Sequence, residues 1–292
     1  RTGVLQKISK GVKSRKKGEP IRFVYDESMP KDLLKKLTHL LNVDKSDTRV
    51  AGGRYHNFKD LMKFPDCGRK DLKYPVWPPL FKSELNGMES LITLIRQKDR
   101  SLHYPYHSFD TFIRVLREAA ISKEVKSIKM TLYRMARESQ IVQALINAAE
   151  NGKEVTAMVE LRARFDEQNN IDWSKQLESA GCTVIYGFED YKVHSKLTLI
   201  TRKGAEGYSY ITQIGTGNYN EKTSELYTDY SFITADERIG EEASKVFRNL
   251  AVQQLTEESD RMLVAPLRFK SVLLDEMDHV IAAARMLSLI HI

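Results

Sequence analysis

Hydrophobic and polar positions along this chain change period several times, and each change marks an element. Ile21 to Tyr25 is a short apolar-rich run that reads as a strand. Asp26 to Pro30 reads as a turn. Leu33, Leu34, Leu37, Leu40 and Leu41 then recur at helical spacing, which predicts a helix over 31–41. Gly52-Gly53 and Phe64-Pro65-Asp66 interrupt the pattern. Residues 72–80 hold three prolines and so exclude a regular helix; a domain boundary is expected there. Beyond it the periods predict strands at 125–132, 154–161, 182–186, 193–200, 208–214 and 230–234. Helices are predicted at 140–150, 171–180, 237–257 and 269–286, with Gly152 and Gly181 stopping the first two. Strands alternating with helices, with some strands adjacent, predict a mixed α/β fold.

Composition adds size and setting. With 292 residues, 41% hydrophobic and 29% charged, the chain has room for two domains and part of a third. It opens on Arg1 and is read as a piece of a longer product. No apolar run reaches the ~18 residues that span a membrane, and no secretory signal is visible. Cys67 and Cys182 stand far apart with no CxxC spacing, which argues for reduced thiols in a cytosolic setting and against a zinc site or a disulfide framework. The net charge is +7, and residues 1–20 carry seven basic residues against one acid. The basic character therefore belongs to one short segment. It is either a plain solvated terminus or a contact for a polyanion such as nucleic acid, anionic lipid or a phosphate polymer.

The candidate chemistry lies in the second half. In the strand predicted over 193–200, His194 and Lys196 project to one face while Val193, Leu197 and Leu199 project to the other. A Gly-rich turn follows, Gly215-Thr216-Gly217-Asn218-Tyr219-Asn220. An imidazole beside an ammonium, near glycines whose amides can face a ligand, suits chemistry on a phosphoryl group. Arg134 and Arg164 each follow a predicted strand, where two guanidiniums would cradle phosphate oxygens. Plain readings exist for each: a structural histidine, a surface ion-pair cluster around Arg162, Arg164, Asp166 and Glu167, a tight turn, a packing role for Tyr227. The other six histidines show no metal-ligand spacing. No GxxxxGK[ST] loop, His-Arg-Asp loop or Asp-Phe-Gly motif occurs, so any phosphoryl transfer uses a different architecture.

Several stretches together resemble the polyphosphate kinase family. They are residues 104–110 (YPYHSFD), 131–134 (TLYR), 162–167 (RARFDE), 193–196 (VHSK), 215–223 (GTGNYNEKT) and 226–229 (LYTD). Residues 21–26 and 53–58 extend the likeness to nearly the whole chain. The resemblance implies an α/β (α+β) fold: a phospholipase D-like mixed sheet with flanking helices, preceded by a smaller head domain. Residues 1–82 would be part of the head domain, 83–263 the first phospholipase D-like catalytic domain, and 264–292 the start of a second.

The resemblance also implies roles. His194 matches the family's phosphorylated histidine, with Lys196 beside it. Arg134 and Arg164 match arginines bordering the Mg²⁺–phosphate site, and Tyr227 matches a tyrosine that contacts ATP. Gly215, Gly217 and Asn218 belong to the same nucleotide site. An arginine is always cationic and cannot ligate Mg²⁺, so both arginines would hold phosphate oxygens. The implied reaction is reversible transfer of the ATP γ-phosphate to inorganic polyphosphate through phosphohistidine, with ADP leaving. Implied partners are ATP, ADP and polyphosphate, with a homo-oligomer when full length and no nucleic acid. The implied location is cytoplasmic or peripheral to the inner membrane. A fragment of this extent is expected to be inactive alone.

The pattern departs from a phospholipase D HxKxxxxD signature at Thr201, which replaces the Asp. The ending at 287–292 departs from the family after Ala284-Arg285-Met286 and is read as a truncation or junction. Two other functions stay open: a phospholipase D-type phosphodiesterase, and a non-enzymatic polyanion-binding protein.

Overall fold

The computed structural model describes residues 2–14, 18, 21–43, 48–87, 89–163, 166–188, 190–257 and 259–285. Two compact units divide the chain, Arg1–Trp77 and Pro78–Ile292.

The first unit contains helix α1 (Thr2–Ser14), strand β1 (Arg22–Asp26), helix α2 (Lys31–Leu40) and strand β2 (Thr48–Gly52). β1 and β2 pair in parallel, Phe23 with Arg49 and Val24 with Val50. Strand β2 was not anticipated, because Thr48-Arg49-Val50-Ala51-Gly52 has a single large apolar side chain and no alternation to read. Within the basic segment, Lys7, Lys10 and Lys13 fall in α1, which was likewise unanticipated; Arg1, Arg15, Lys16 and Lys17 lie outside the described residues.

The second unit begins with α3 (Leu91–Gln97), β3 (Arg100–Tyr104) and α4 (Asp110–Ile121), none of them foreseen. There follow β4 (Val125–Leu132), α5 (Gln140–Glu150), β5 (Glu154–Val159), α6 (Glu167–Ser179), β6 (Thr183–Tyr186), β7 (Lys196–Gly204), β8 (Gly207–Gly215), α7 (Glu221–Ser224), β9 (Asp229–Thr234), α8 (Glu237–Ala251) and α9 (Phe269–Arg285). Seven strands form one mixed sheet in the order β3-β9-β8-β7-β4-β5-β6. β4, β5 and β6 run parallel, while β7, β8, β9 and β3 pair antiparallel with their neighbours. The expectation of a mixed α/β sheet with flanking helices, preceded by a smaller unit, is met.

The central strands are buried on both faces, as a sheet covered by helices requires. Ile128, Met130 and Leu132 of β4 and Ala157, Met158 and Val159 of β5 are all buried. Leu197 and Leu199 of β7 pack on Ala243, Val246 and Phe247 of α8. Thr198 faces the other way and meets Tyr219, whose ring stacks 5.5 Å from Phe112 of α4. Helices therefore cover both faces of β7, and each fully buried Leu or Phe contributes roughly 1.5–3 kcal/mol.

Several boundaries differ from expectation, among them the start of α6 at Glu167 instead of 171, the end of α8 at Ala251 instead of 257, and the span of β7, Lys196–Gly204 instead of 193–200. The last difference matters: His194 is not in a strand but in the irregular lead-in to one. The β4–β7 ladder starts only at Met130–Thr198. Before that point the Thr131 side chain takes over, its Oγ1 donating to the Ser195 carbonyl at 2.8 Å and accepting from the Leu197 amide at 3.0 Å.

This topology collects one rim. The carboxyl ends of β4, β5 and β6, the start of β7, the end of β8 and the start of β9 all lie along the same edge.

Candidate active site

The rim places His194 and Lys196 together. Lys196 opens β7 opposite Gly215 of β8 and is 5% exposed. Its Nζ lies 3.2 Å from His194 Nδ1 and also donates to the His194 carbonyl. The Tyr133 ring meets the His194 ring edge-on at 4.8 Å, and Lys196 Nζ lies 5.2 Å from the Tyr133 centroid. The shared facing expected from strand alternation is thus achieved by a different route, a loop closing onto a buried lysine.

Burial governs the charges. Lys196 is pushed down to about 8 by its loss of hydration; the Asp229 carboxylate opposes that shift and the Arg134 guanidinium adds to it. His194 is held below its ordinary value by lost hydration first, then by Lys196, Arg134 and Lys192. The imidazole is therefore neutral at pH 7 and keeps a lone pair for attack.

Arg134 sits two residues beyond β4, with its Nε 3.3 Å from Asp166 Oδ2 and its guanidinium 5.9 Å from the Tyr133 centroid. Helix α6 fixes this loop: Asn170 Nδ2 donates to the Tyr133 carbonyl at 2.7 Å, Asn169 Nδ2 to Met135 at 2.8 Å, and Trp173 Nε1 to Ala136 at 2.8 Å. Arg164 lies outside the described residues, so the expected pair of guanidiniums is represented by Arg134 alone.

The glycine turn is shaped from below. Thr198 Oγ1 donates to Tyr219 OH at 3.0 Å, Tyr219 OH donates to Gln213 Oε1, and Gln213 Nε2 donates to Ser231 Oγ at 2.9 Å. This buried chain ties β7, β8 and β9 under the turn, and a fully partnered network of this kind rigidifies its surroundings. A side chain at Gly217 would overlap the Asp229 carboxylate. That carboxylate accepts from Thr216 Oγ1 at 2.7 Å. Asn218 Oδ1 is buried with no hydrogen-bond partner among the described residues, a free acceptor in the turn. Tyr227 is 63% exposed, and among the described residues no hydrogen bond or ring contact ties its side chain to His194. The structure brings His194, Lys196, Arg134 and Gly215 to one place, and among the described residues no hydrogen bond or ring contact joins the Tyr227 side chain to them.

Four contributors lie within the stretches singled out in the sequence but carried no role there: Tyr133, Thr131, Asp229 and Glu160. Tyr133 and Thr131 sit in the run leading to Arg134, and only strand pairing shows that they face His194 and Ser195. A cavity of about 660 Å³ opens beside the site, lined by His194, Lys196, Gly215 and Thr216 at one end and by Val246, Leu250, Met262 and Phe269 elsewhere.

Magnesium finds no cage here. Among the described residues no three His, Cys, Asp or Glu side chains cluster as a metal site would need. Among the described residues the charged groups acting on His194 are Lys196, Arg134 and Lys192, a set that suits phosphate oxygens and does not fit a resident metal.

Comparisons with known proteins agree on one family. The family profile for polyphosphate kinase C-terminal domain 1 matches residues 90–256, and that for the polyphosphate kinase middle domain matches residues 2–64. The chain is 41% identical over 282 residues to a polyphosphate kinase of Vibrio vulnificus (strain YJ016), covering 97% of this chain and 40% of that protein. It is 41% identical over 288 residues to a polyphosphate kinase of Escherichia coli (strain K12), covering 97% and 41%. The crystal structure of the polyphosphate kinase of Porphyromonas gingivalis superposes with a TM-score of 0.72 at 33% identity, covering 91% of this chain and 42% of that one. The chain thus spans about two fifths of the length of the curated relatives it matches. With one profile covering more than half of it, and the other most of its first unit, the chain belongs to the polyphosphate kinase family.

Proposed function

We propose that this chain carries the phosphoryl-accepting site of an enzyme that moves the γ-phosphate of ATP reversibly to inorganic polyphosphate. One observation carries the reading: a neutral imidazole held 3.2 Å from a buried lysine, with the charged groups that act on it, Lys196, Arg134 and Lys192, all cationic. The family membership and the names of the relatives support it.

In the first half-reaction the free lone pair of the His194 imidazole attacks the γ-phosphorus. An N–P bond forms as the bond to the β,γ-bridging oxygen breaks, and that oxygen leaves with ADP. The ring is positive until its other nitrogen releases its proton. In the second half that nitrogen takes a proton back, a terminal oxygen of polyphosphate attacks the same phosphorus, and the N–P bond breaks to return the neutral imidazole. Lys196 and Arg134 offset the charge spread over the equatorial oxygens, and the turn offers them the backbone amides of Gly217 and Asn218, that of Thr216 being held by the Tyr230 carbonyl. A magnesium ion would enter with the nucleotide as part of the substrate.

The reading also assigns the domains. Residues 1–82 are part of a head domain, 83–263 a first phospholipase D-like catalytic domain and 264–292 the start of a second. Arg164, Tyr227 and Asn218 are assigned to nucleotide and phosphate contact, and the full-length protein to a homo-oligomer. Among the described residues, no helix is long and apolar enough to cross a membrane.

The test is incubation of the full-length protein with γ-labelled ATP, followed by a search for an acid-labile, base-stable phosphoprotein. The His194→Gln protein is expected to show neither label nor polymer synthesis. A folded His194→Gln protein that still makes polymer would end the reading. Turnover of phosphodiesters without nucleotide would replace it with the phospholipase D-type alternative.

A further inference from the structure

We propose that Glu160, acting with Arg162, is the positioning residue that sets His194 for phosphoryl transfer; the inference rests on His194 being the phosphoryl acceptor. Glu160 follows the last residue of β5 and is 2% exposed. Burying a carboxylate is costly unless it is paired and hydrogen-bonded. Here each oxygen has its own task. Oε1 accepts from the Arg162 amide at 2.9 Å and lies 3.5 Å from Arg162 Nε. Oε2 accepts from the Val193 amide at 3.0 Å, one residue before His194.

Arg162 completes the grip from the other side. Its Nη2 donates to the Phe188 carbonyl at 2.6 Å and to the Tyr191 carbonyl at 2.8 Å. The acid thus holds a donor, and the base two acceptors, of the same irregular lead-in. Between them the Val193 side chain is seated among Met158, Ile185 and Leu250. Gly187 leaves no spare room: a Cβ there would stand 3.1 Å from Glu160 Oε2 and 3.4 Å from Val193 Cγ2.

The same residue reaches the opposite wall of the site. The Glu160 carbonyl accepts from Asn170 Nδ2 at 2.9 Å, and that nitrogen also donates to the carbonyl of Tyr133, whose ring flanks His194. One residue therefore ties the histidine's own backbone to the residue that packs against its ring. The Glu160 oxygens meet the Arg162 and Val193 amides and not the imidazole, so the residue works through the position of the backbone. Displacements near 1 Å cost about 100-fold in a transfer reaction, which gives such a clamp catalytic weight.

The experiment is single-turnover phosphorylation of the full-length enzyme by γ-labelled ATP, with equilibrium ATP binding measured alongside. Glu160→Ala and Arg162→Lys are expected to slow phosphorylation roughly 10- to 100-fold, the scale of such a displacement. ATP binding should change less than twofold, and the acid limb of the pH profile should not move. Glu160→Gln keeps one acceptor oxygen and should fall between wild type and alanine. If Glu160→Ala does not fold, Arg162→Lys carries the decision, because that side chain is 41% exposed. Wild-type phosphorylation in Arg162→Lys, or binding and rate falling together, overturns the clamp. A His194→Gln protein that still takes label overturns the phosphohistidine reading and the clamp with it. An unlabelled His194→Gln beside wild-type rates in the Glu160 variants overturns the clamp alone.

Discussion

The two sides of the rim are built differently. Around His194 the backing is buried and polar: Lys196 is 5% exposed, Glu160 2% and Thr131 1%, and each has named hydrogen-bond partners. Past the glycine turn the chain presents aromatic rings to solvent, Tyr227 and Tyr230 among them. The first side holds its groups in place before any ligand arrives, which is what stabilising a transition state requires. The second offers exposed aromatic surface with the area to pack against a ligand. Changes on the first side should therefore act on turnover, and changes on the second on ground-state binding.

Lys196→Met should mark this division most strongly. Removing one preorganised charge is expected to cost roughly 10³-fold in the rate of phosphoenzyme formation. The same variant should be more stable than wild type at pH 7. A lysine at about 8 in the fold, against its ordinary 10.5, lowers stability by an amount present in full below pH 8. The deficit disappears as pH rises from 8 to 10.5. A gain of about 1–3 kcal/mol is expected after the lost contact with the His194 carbonyl is counted. Urea unfolding of both proteins at pH 7 and pH 10 checks the sign, and a destabilised Lys196→Met protein contradicts it.

Arg134→Lys keeps the charge and loses the planar fork. Roughly 2–3 kcal/mol of transition-state stabilisation should go, with ATP affinity nearly unchanged. Steady-state kinetics decide it: a raised KM at normal kcat would move Arg134 to the binding side of the comparison.

The pH profile sharpens the contrast with a smaller effect. His194 must be neutral to attack, and its value lies below 6.5, so the rate should climb through that acid region and level off before pH 7. Lys196 must be charged, so the rate should fall as pH rises through about 8. A single-turnover profile flat from pH 7 to 9 would remove the ammonium from the mechanism.

Much of this was legible in the residues. The alternation in 125–132 and 208–214 located β4 and β8, and the pattern of 140–150 located α5, because long apolar periods report burial directly. Short elements such as β2 and β3 carry too few apolar positions for a period. Strand alternation makes His194 and Lys196 neighbours by a route the fold does not use: Lys196 is buried and begins β7, while His194 is exposed and precedes it. Glu160, Thr131 and Asn170 could not be found from spacing at all. The contacts that bring them to the site, Glu160 with Val193, Thr131 with Leu197 and Asn170 with the Glu160 carbonyl, span 10 to 66 residues, and only the crossover that brings β4, β5 and β7 side by side makes them neighbours.

Tyr227→Ala is the gentlest test and the one that probes the open side. The ring is 63% exposed, so its removal should leave stability within about 0.5 kcal/mol of wild type. If the ring packs against the base, the ATP requirement should rise several-fold while transfer from phosphohistidine to polyphosphate is unchanged, since that step involves no nucleoside. Measuring the two half-reactions separately in the full-length enzyme distinguishes the outcomes. Equal damage to both would assign Tyr227 to shaping the turn before β9, and the open rim would then belong to the same preorganised machinery as His194.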